Sequence, residues 1–362
     1  MGIEVHAVEA RPELPGVHTS AATVHEVSSL AGPALIRALL ELADRIQSAR
    51  PPVLFLTNDG MVRDVAAGWT ALEGRYRLSW AESRDEVASL LAKTEHERAS
   101  VRAGCRYPRS LVLESPSSAD RVGDELAYPL IAKPSRPLSS FKTAQIRDLE
   151  DLRSLMRDHV DALPIVVQPF IPGGDERIHF CAVYLHRGQV VARFDGRKLR
   201  SRPMGHTTIA EPAPADDVFR ETERFFASTR ISGPASLEMK RDPEGSLWVI
   251  EPTVGRTDFW IQVCISNGVN LPWLEYCDQT ARALPQARQA STHVWVNTER
   301  DPKALGVVLL GMIGRSVARR RIVLPYFHRG DRWLALRAAV GKARRNVRSR
   351  LARKDMRARS LT

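Results

Sequence analysis

The stretch ASLEMKRDPEGSLWVIEPTVGRTD, residues 235–258, decides the reading of this chain. Two runs rich in apolar residues flank the turn-forming DPEG, which describes a β-hairpin with one carboxylate on each arm, Glu238 and Glu251. With DPEG (242–245) as a four-residue loop, Arg241 faces Ser246, Glu238 faces Val249, and Glu251 lies diagonally across from Glu238 on the same face. Their backbones are then about 7–8 Å apart. A register one residue different sends the two to opposite faces. Like charges this close on a half-buried face are unfavourable unless one is protonated or a cation lies between them. A hard divalent ion, Mg²⁺ or Mn²⁺, relieves the repulsion and leaves positions for phosphate oxygens, with Thr253 on the same face as a neutral oxygen. Lys240 shares that face as well, so a Glu–Lys ion pair without metal meets the same requirement.

Working outward, PLIAKP (129–134) and PIVVQPF (164–170) read as short buried strands, separated by the helix RDLEDLRSLMRDHV (147–160) with Leu149, Leu152, Leu155 and Met156 on one face. CAVYLHRGQVVARFDG (181–196) reads as two strands around His186-Arg187-Gly188, and GVNLPWLEYCDQTARAL (268–284) as mostly helical. Towards the start, IEVHAVE (3–9) and PVLFLTND (52–59) are candidate strands of an alternating β/α unit, the second followed by the helical GMVRDVAAGWTAL. Lys133 ends a strand beside a loop with Ser139 and Ser140, where a lysine can place a point charge on phosphate; a lysine snorkelling off a strand end reads the same way. Gln168 ends a strand, where its amide or the adjoining backbone can read an adenine edge, and Asp175 follows the PGG turn, where a carboxylate can accept from ribose hydroxyls.

Composition excludes several classes. No apolar run approaches the roughly 18–20 residues of a membrane-spanning helix, and the first residues lack the basic and apolar regions of a secretory signal. His6 stands where a myristoylation signal needs Ser or Thr. Four scattered cysteines without a CxxC pair indicate neither zinc nor a disulfide framework, consistent with a reducing, cytoplasmic setting. The net charge of +11 is concentrated in residues 331–362, which hold eleven Lys or Arg against two Asp and leave 42 basic and 40 acidic residues elsewhere. In that tail Trp333, Leu336, Val340, Ala343, Val347 and Leu351 recur at helical steps, a basic amphipathic pattern. It suits an anionic membrane surface, an acidic partner, or docking on the body; the nearly neutral body argues against nucleic acid.

Taken in order, these pieces resemble the ATP-grasp superfamily, in its carboxylate–amine ligase-like branch, over about residues 50–285. The matching residues are Lys93 in LLAKTEHERASVRAGCRYPRSLVL, Lys133 in YPLIAKP, Gln168 and Asp175 in VVQPFIPGGDE, Glu238 in SLEMKRDPEGS and Glu251 in VIEPTVGR. The resemblance implies an α/β fold in which two α+β lobes clamp ATP, preceded by a reduced Rossmann-like pre-ATP-grasp domain. The implied segments are 1–90 for the reduced domain, 91–285 for the ATP-grasp domain, 286–330 for a C-terminal extension and 331–362 for the tail. It further implies Lys93 and Lys133 on the nucleotide phosphates, Gln168 at adenine, Asp175 at ribose, and Glu238 and Glu251 on magnesium. The implied reaction is attack by a substrate carboxylate on the γ-phosphate, giving an acyl phosphate that an amine captures. The substrates would be small-molecule or peptide acids and amines, in a setting of surface-polysaccharide or cell-wall metabolism.

Lys198 and Arg200 in DGRKLRSRP and Arg256 in GRTD are candidates for holding the acyl phosphate or the acid, because phosphoryl transfer is catalysed mostly by positioned charge; a solvated basic loop reads the same way. Three features depart from the family pattern. Thr253 replaces the usual second metal-binding asparagine; the loop SRPLSSFK has no glycine, leaving Lys142 and the serines to cover phosphate; and the usual first strand and helix of the preceding domain are not seen. These departures keep open a second expectation, an ATP-grasp-like binding or regulatory module that has lost turnover and works through its basic tail.

Overall fold

The computed structural model describes residues 2–46, 48–135, 139–202, 206–311, 320–327, 330–331, 333–335 and 337–338. Strands β1 (His6–Glu9) and β2 (Thr23–Glu26) pair in parallel and are followed by helices α1 (Gly32–Arg45), α2 (Asp59–Leu72), α3 (Arg84–Leu90) and α4 (His96–Arg102). A first lobe then contains β3 (Leu111–Leu113), α5 (Val122–Glu125), β4 (Leu130–Pro134), β5 (Ala144–Ile146), α6 (Leu149–Asp158) and β6 (Ile165–Pro169). The second lobe runs through β7 (Ile178–His186), β8 (Gln189–Ser201), β9 (Thr207–Pro212), α7 (Asp216–Ala227), β10 (Gly233–Arg241) and β11 (Leu247–Val254). It closes with α8 (Ile261–Ser266), α9 (Leu271–Gln279), β12 (His293–Val296), α10 (Lys303–Leu309) and β13 (Arg321–Val323).

The first lobe is a four-stranded antiparallel sheet in the order β3-β6-β4-β5. Alternation along its strands sorts the side chains. Leu130, Ala132, Ile165 and Val167 pack with Leu152 and Met156 of α6, while Lys133 and its cross-strand partner Val166 point to the other face. That second face looks across at the large sheet. The large sheet has seven strands in the order β11-β10-β7-β8-β9-β12-β13, antiparallel except for β12 with β13.

Central strand β7 is buried on both faces, as its uninterrupted apolar sequence requires. Cys181, Val183 and Leu185 join a core shared with α1, α2, α3 and α7; Phe180, Ala182 and Tyr184 face Trp260, α8 and α9. Its reversal into β8 is a two-residue turn with φ of 50° at Arg187 and 81° at Gly188, the left-handed pair whose twist suits a hairpin. A Cβ at Gly188 would stand 2.4 Å from the carbonyl oxygen of Thr229.

Two expectations at the start of the chain need correction. The run 52–59 forms no strand; Val53 makes one parallel bridge to Arg77, with Leu54 and Leu56 buried and Phe55 exposed. Its extended course stops because the Asn58 side chain accepts from the Met61 N–H at 2.9 Å and caps α2. The strand foreseen over 3–9 is confined to 6–9. These helices share one continuous apolar cluster with β7, β10 and β11, so the segment lies directly on the large sheet.

Leu336, the tail's stripe beyond residue 338 and loop residues 136–138 lie outside the described residues. At the tail's start Trp333, expected in the apolar stripe, is 73% exposed, while Leu334 is buried. Asp331 accepts from the Thr19 hydroxyl at 2.8 Å and the Ser20 N–H at 2.9 Å, fastening this end to the N-terminal segment. Among the described residues no helix is long and apolar enough to cross a membrane.

Gly255 ends β11 with φ of 71°, and an added Cβ would meet Val62 at 2.9 Å, Val87 at 3.0 Å and Trp80 at 3.1 Å. Its carbonyl accepts from the Trp80 indole at 3.0 Å. Gly255→Ala therefore combines a left-handed backbone penalty with overpacking, for an expected loss of about 2–4 kcal/mol. Urea denaturation of the variant against the parent chain measures it, and a loss below about 0.5 kcal/mol would refute the close packing.

Candidate active site

The hairpin places the two acids differently from the four-residue reading. Arg241 pairs with Leu247, Lys240 with Trp248 and Met239 with Val249; the register then shifts and Glu238 pairs with Glu251. The loop is one residue longer, 242–246, because Asp242 and Ser246 close it. The Asp242 N–H donates to the Ser246 carbonyl at 3.0 Å, and Asp242 Oδ1 accepts from the Ser246 N–H at 2.7 Å. A regular ladder from that loop would set Ile250 opposite Glu238 and turn Glu251 to the far face. Ile250 is instead the extra residue of a β-bulge, which restores the shared face. Glu238 therefore faces Glu251 and not Val249, and directly opposed residues bring their Cβ atoms to about 4.5–5.5 Å.

Lys240 does not supply the compensating charge. Its ammonium donates to the Gly173 carbonyl at 2.6 Å and lies over the Phe170 ring. Lys198 of β8 supplies it instead, donating to Glu238 Oε2 at 2.7 Å. Glu251 meets more cations. Burial works to raise its pKa, but Lys93, His96, Lys133 and Lys142 overcome that and hold the carboxyl down at about 2. Desolvation pushes Lys133 down to about 8 although Glu251 and Glu238 attract its charge, and Lys93 and Lys198 push the same way as burial. Lys142 is lowered as well, chiefly by desolvation. Lys93 donates to the carbonyl of Pro134, at the end of the strand that carries Lys133, over 3.4 Å.

The structure thus brings together Lys93, Lys133, Lys142 and Lys198 around Glu238 and Glu251, four positive charges against two negative. Such a cleft suits a polyphosphate, whose oxygens accept from ammonium groups and share a divalent ion with the acids. Glu238 and Glu251 fit as carboxylate ligands for that ion. Thr253 fits less well, because its hydroxyl donates to Asp258 Oδ1 at 3.3 Å. Among the described residues no group of three or more His, Cys, Asp or Glu is placed to hold a metal. The remaining positions would fall to phosphate oxygens and water.

The other candidates are more committed. The Gln168 amide donates to the Ser110 hydroxyl at 3.0 Å and the Pro108 carbonyl at 3.5 Å, so it holds the loop before β3 and lacks a free donor for an adenine edge. Asp175 accepts from the Ser201 N–H at 2.6 Å, which engages the carboxylate assigned to ribose. Arg200 is paired with Asp301 at 2.7 Å. Arg256 donates to Asp59 at 2.6 Å and lies 3.7 Å from Asp258.

Two residues of this site were missed in the sequence. Asp258 is buried beneath Glu238, accepts from the Ser236 hydroxyl at 2.5 Å, and is raised to about 6 by desolvation against the pull of Arg256. His96 is buried against Glu251, its Nε2 3.0 Å from the Leu90 carbonyl. Asp258 was within the quoted GRTD, and His96 is three residues after Lys93; neither spacing distinguishes a site residue from a surface one.

With this arrangement established, comparison with solved structures is informative. The biotin carboxylase domain of 2-oxoglutarate carboxylase from Hydrogenobacter thermophilus matches with a TM-score of 0.62 and 14% identity, covering 81% of this chain and 68% of that one. The fold is that of the ATP-grasp enzymes. N5-carboxyaminoimidazole synthetase from Staphylococcus aureus, in its ADP complex, shares this ATP-grasp fold at a TM-score of 0.62 and 13% identity, over 79% of this chain and 73% of its own. The large chain of carbamoyl phosphate synthase from Rubrobacter xylanophilus is 30% identical over 136 residues, which is 34% of this chain and 12% of that enzyme. The match thus spans about an eighth of that relative's length. No protein-family model matches the sequence.

Desolvated Lys133 makes a prediction about stability. Its pKa falls from 10.5 in the open chain to about 8 in the fold, so the unfolded state holds more protons between those values and folding is favoured increasingly as pH rises through that window. Lys133→Met should be the more stable protein at pH 7 by about 2–3 kcal/mol, and most of the advantage should vanish between pH 8 and 10.5. Denaturation curves of both proteins across that range decide it; a pH-independent difference would contradict the burial of the charge.

Proposed function

We propose that this chain is an ATP- and Mg²⁺-dependent ligase that joins a carboxylate to an amine through an acyl phosphate. The observation that carries the reading is the opposed pair Glu238 and Glu251 inside four converging lysines, between two sheets. Bound magnesium would neutralise the two carboxylates and the phosphate oxygens they share. Lys93, ahead of α4, and Lys133, on β4 of the first lobe, hold the phosphate chain. Lys198 stands beside Glu238, where it can follow the transferred phosphoryl group. Arg256, fixed by Asp59, also acts on Glu251.

The substrate carboxylate oxygen attacks the γ-phosphorus and ADP leaves with the bridging oxygen. The amine nitrogen then attacks the carbonyl carbon and phosphate leaves. Asp258, a buried carboxyl raised to about 6, is suited to take the proton the amine loses. Two relatives support the direction of this reading: the biotin carboxylase domain is described with MgADP and bicarbonate, and the N5-carboxyaminoimidazole synthetase with ADP. The polysaccharide or cell-wall setting rests on the EPTVGRTD and NGVNLP stretches alone.

A second reading, a nucleotide-binding module without turnover, draws on the Lys198–Glu238 pair and the engaged Thr253, which leave two carboxylates as the protein's share of a metal site. Incubation with ATP, magnesium, a panel of acids and hydroxylamine separates the two. Acid-dependent ADP and hydroxamate are expected, and Glu251→Gln or Lys133→Ala should lower both by about 100-fold or more. Binding of MgADP with no acid-dependent product from any acid would select the second reading, and undiminished yield in both variants would sink the first.

A further inference from the structure

Beside Glu238 the cleft continues into a second cluster that the phosphate chain does not need. Its centre is His206, which directly precedes β9 and is half-buried. Lys142 donates to His206 Nδ1 over 3.4 Å, which leaves the ring proton on Nε2. The His206 ring meets Phe259 edge to face at 5.6 Å, and the Arg300 guanidinium lies 5.7 Å from the Phe259 centroid. Phe259 is supported from behind by Trp295 at 5.8 Å yet remains 44% exposed, directly after the Arg256 to Asp258 stretch of the site. Charges acting on His206 most strongly, after burial itself, come from Lys142, Arg300, Lys198 and Arg202, all cations, and they hold its pKa near 4.

Arg193, Arg197, Arg200, Arg241 and Arg256 of this lobe are each paired with a carboxylate, whereas among the described residues the cations around His206 (Arg202 and Arg300 of this lobe and Lys142 of the first) make no ion pair. The acids closest in sequence are already engaged: Asp301 takes Arg200 at 2.7 Å and the Thr208 hydroxyl, and Glu299 takes the Tyr326 hydroxyl at 3.0 Å. Unpaired cations gathered around a neutral histidine donor and an exposed aromatic face lack a counter-ion, and a surface that needed only solubility would gain nothing from the arrangement.

We infer that this cluster is the acid-substrate subsite, and that the substrate is a small organic dianion. Its reacting carboxylate lies toward Lys198, its second anionic group is held by Lys142, His206 Nε2, Arg202 and Arg300, and its carbon skeleton packs on Phe259. The inference rests on the ligase reading for the first carboxylate, while the second anionic group is argued from the unpaired cations themselves. A carboxylate and a phosphate offer these donors the same chemistry.

The test uses the full chain and three acids of similar length: butyrate, glutarate and 3-phosphonopropionate. Each is titrated calorimetrically into protein with and without saturating MgADP, after MgADP itself has been titrated. At least one dianion should bind about tenfold or more tightly than butyrate, and which one does so separates a dicarboxylate from a phosphorylated acid. Arg300→Gln should erase that preference while MgADP affinity stays within about twofold, and Phe259→Ala should weaken all three acids. Equal binding of the three acids, no binding of either dianion, or an intact preference in Arg300→Gln overturns the inference. Failure of MgADP alone to bind would sink the nucleotide reading instead, and the titrations without it then still decide the anion subsite. Arg300 is exposed, and melting curves without ligand check that both variants fold.

Discussion

Two carboxylates on neighbouring strands, opposed at close range and partly withdrawn from water, are a standing electrostatic cost that the rest of the molecule must offset. Glu238 and Glu251 are met by cations from four separate places in the chain: Lys93 beyond α3, Lys133 on β4, Lys142 before β5 and Lys198 on β8. Three of these come from the first lobe or its approach and one from the second. The attraction therefore draws the small sheet over the large one, and the cleft between lobes is where the charges meet. With four lysines to two acids the compensation overshoots; burial is the main reason the pKa of Lys133 and of Lys142 is lowered, and the neighbouring lysines push the same way. A cleft that repels its own cations is stabilised by an added anion, and this ties the site's geometry to its chemistry without appeal to any relative.

The bulge at Ile250 is tolerated because β11 is the edge of its sheet. A central strand would have to break two ladders to accept an extra residue; an edge strand breaks one. The far side of that edge is covered rather than left open. The Val249 N–H donates to the Arg106 carbonyl at 2.9 Å, and α3 and α4 pack nearby. Immediately afterwards Gly255 turns the chain left-handed against Val62, Val87 and Trp80, which sets Arg256 and Asp258 back toward the acids. One irregularity on each side of Thr253 thus aims four charged residues into the same cleft.

Much of this was legible in the sequence, and the reasons for the remainder are physical. Strands β4, β6, β7 and β8 and helix α6 were found because apolar periodicity and turn residues agree there. Lys93, Lys133, Glu238 and Glu251, singled out by order and by resemblance, are brought together by the fold. The hairpin's face was right but its register was not: a loop one residue longer and a bulge of one residue cancel, and neither has a composition signature in DPEGSLWVIE. The strand expected at 52–59 failed because an apolar run cannot reveal whether a partner strand lies beside it. Gln168 and Asp175 are where they were expected along the chain, yet their polar atoms are engaged by Ser110, Pro108 and Ser201, partners that only the tertiary fold supplies.

Charge composition alone also misdirects, because the second lobe carries many arginines and most are structural. Arg197 and Arg320 neutralise buried Glu211, Arg241 fastens Asp217 at the start of α7, and Arg200 fixes Asp301 beside β9. For Glu211, which is buried, losing both guanidinium partners would leave a desolvated charge at a cost of about 3–5 kcal/mol; Asp217 is 43% exposed, and its pair with Arg241 is worth far less. What separates a binding cation from these is an unspent charge at a place the ligand can reach. By that measure Lys133 and Lys142 belong to the cleft, as does Lys198, whose partner Glu238 is itself a metal-ligand candidate, while Arg200, singled out in DGRKLRSRP by composition, belongs to the scaffold.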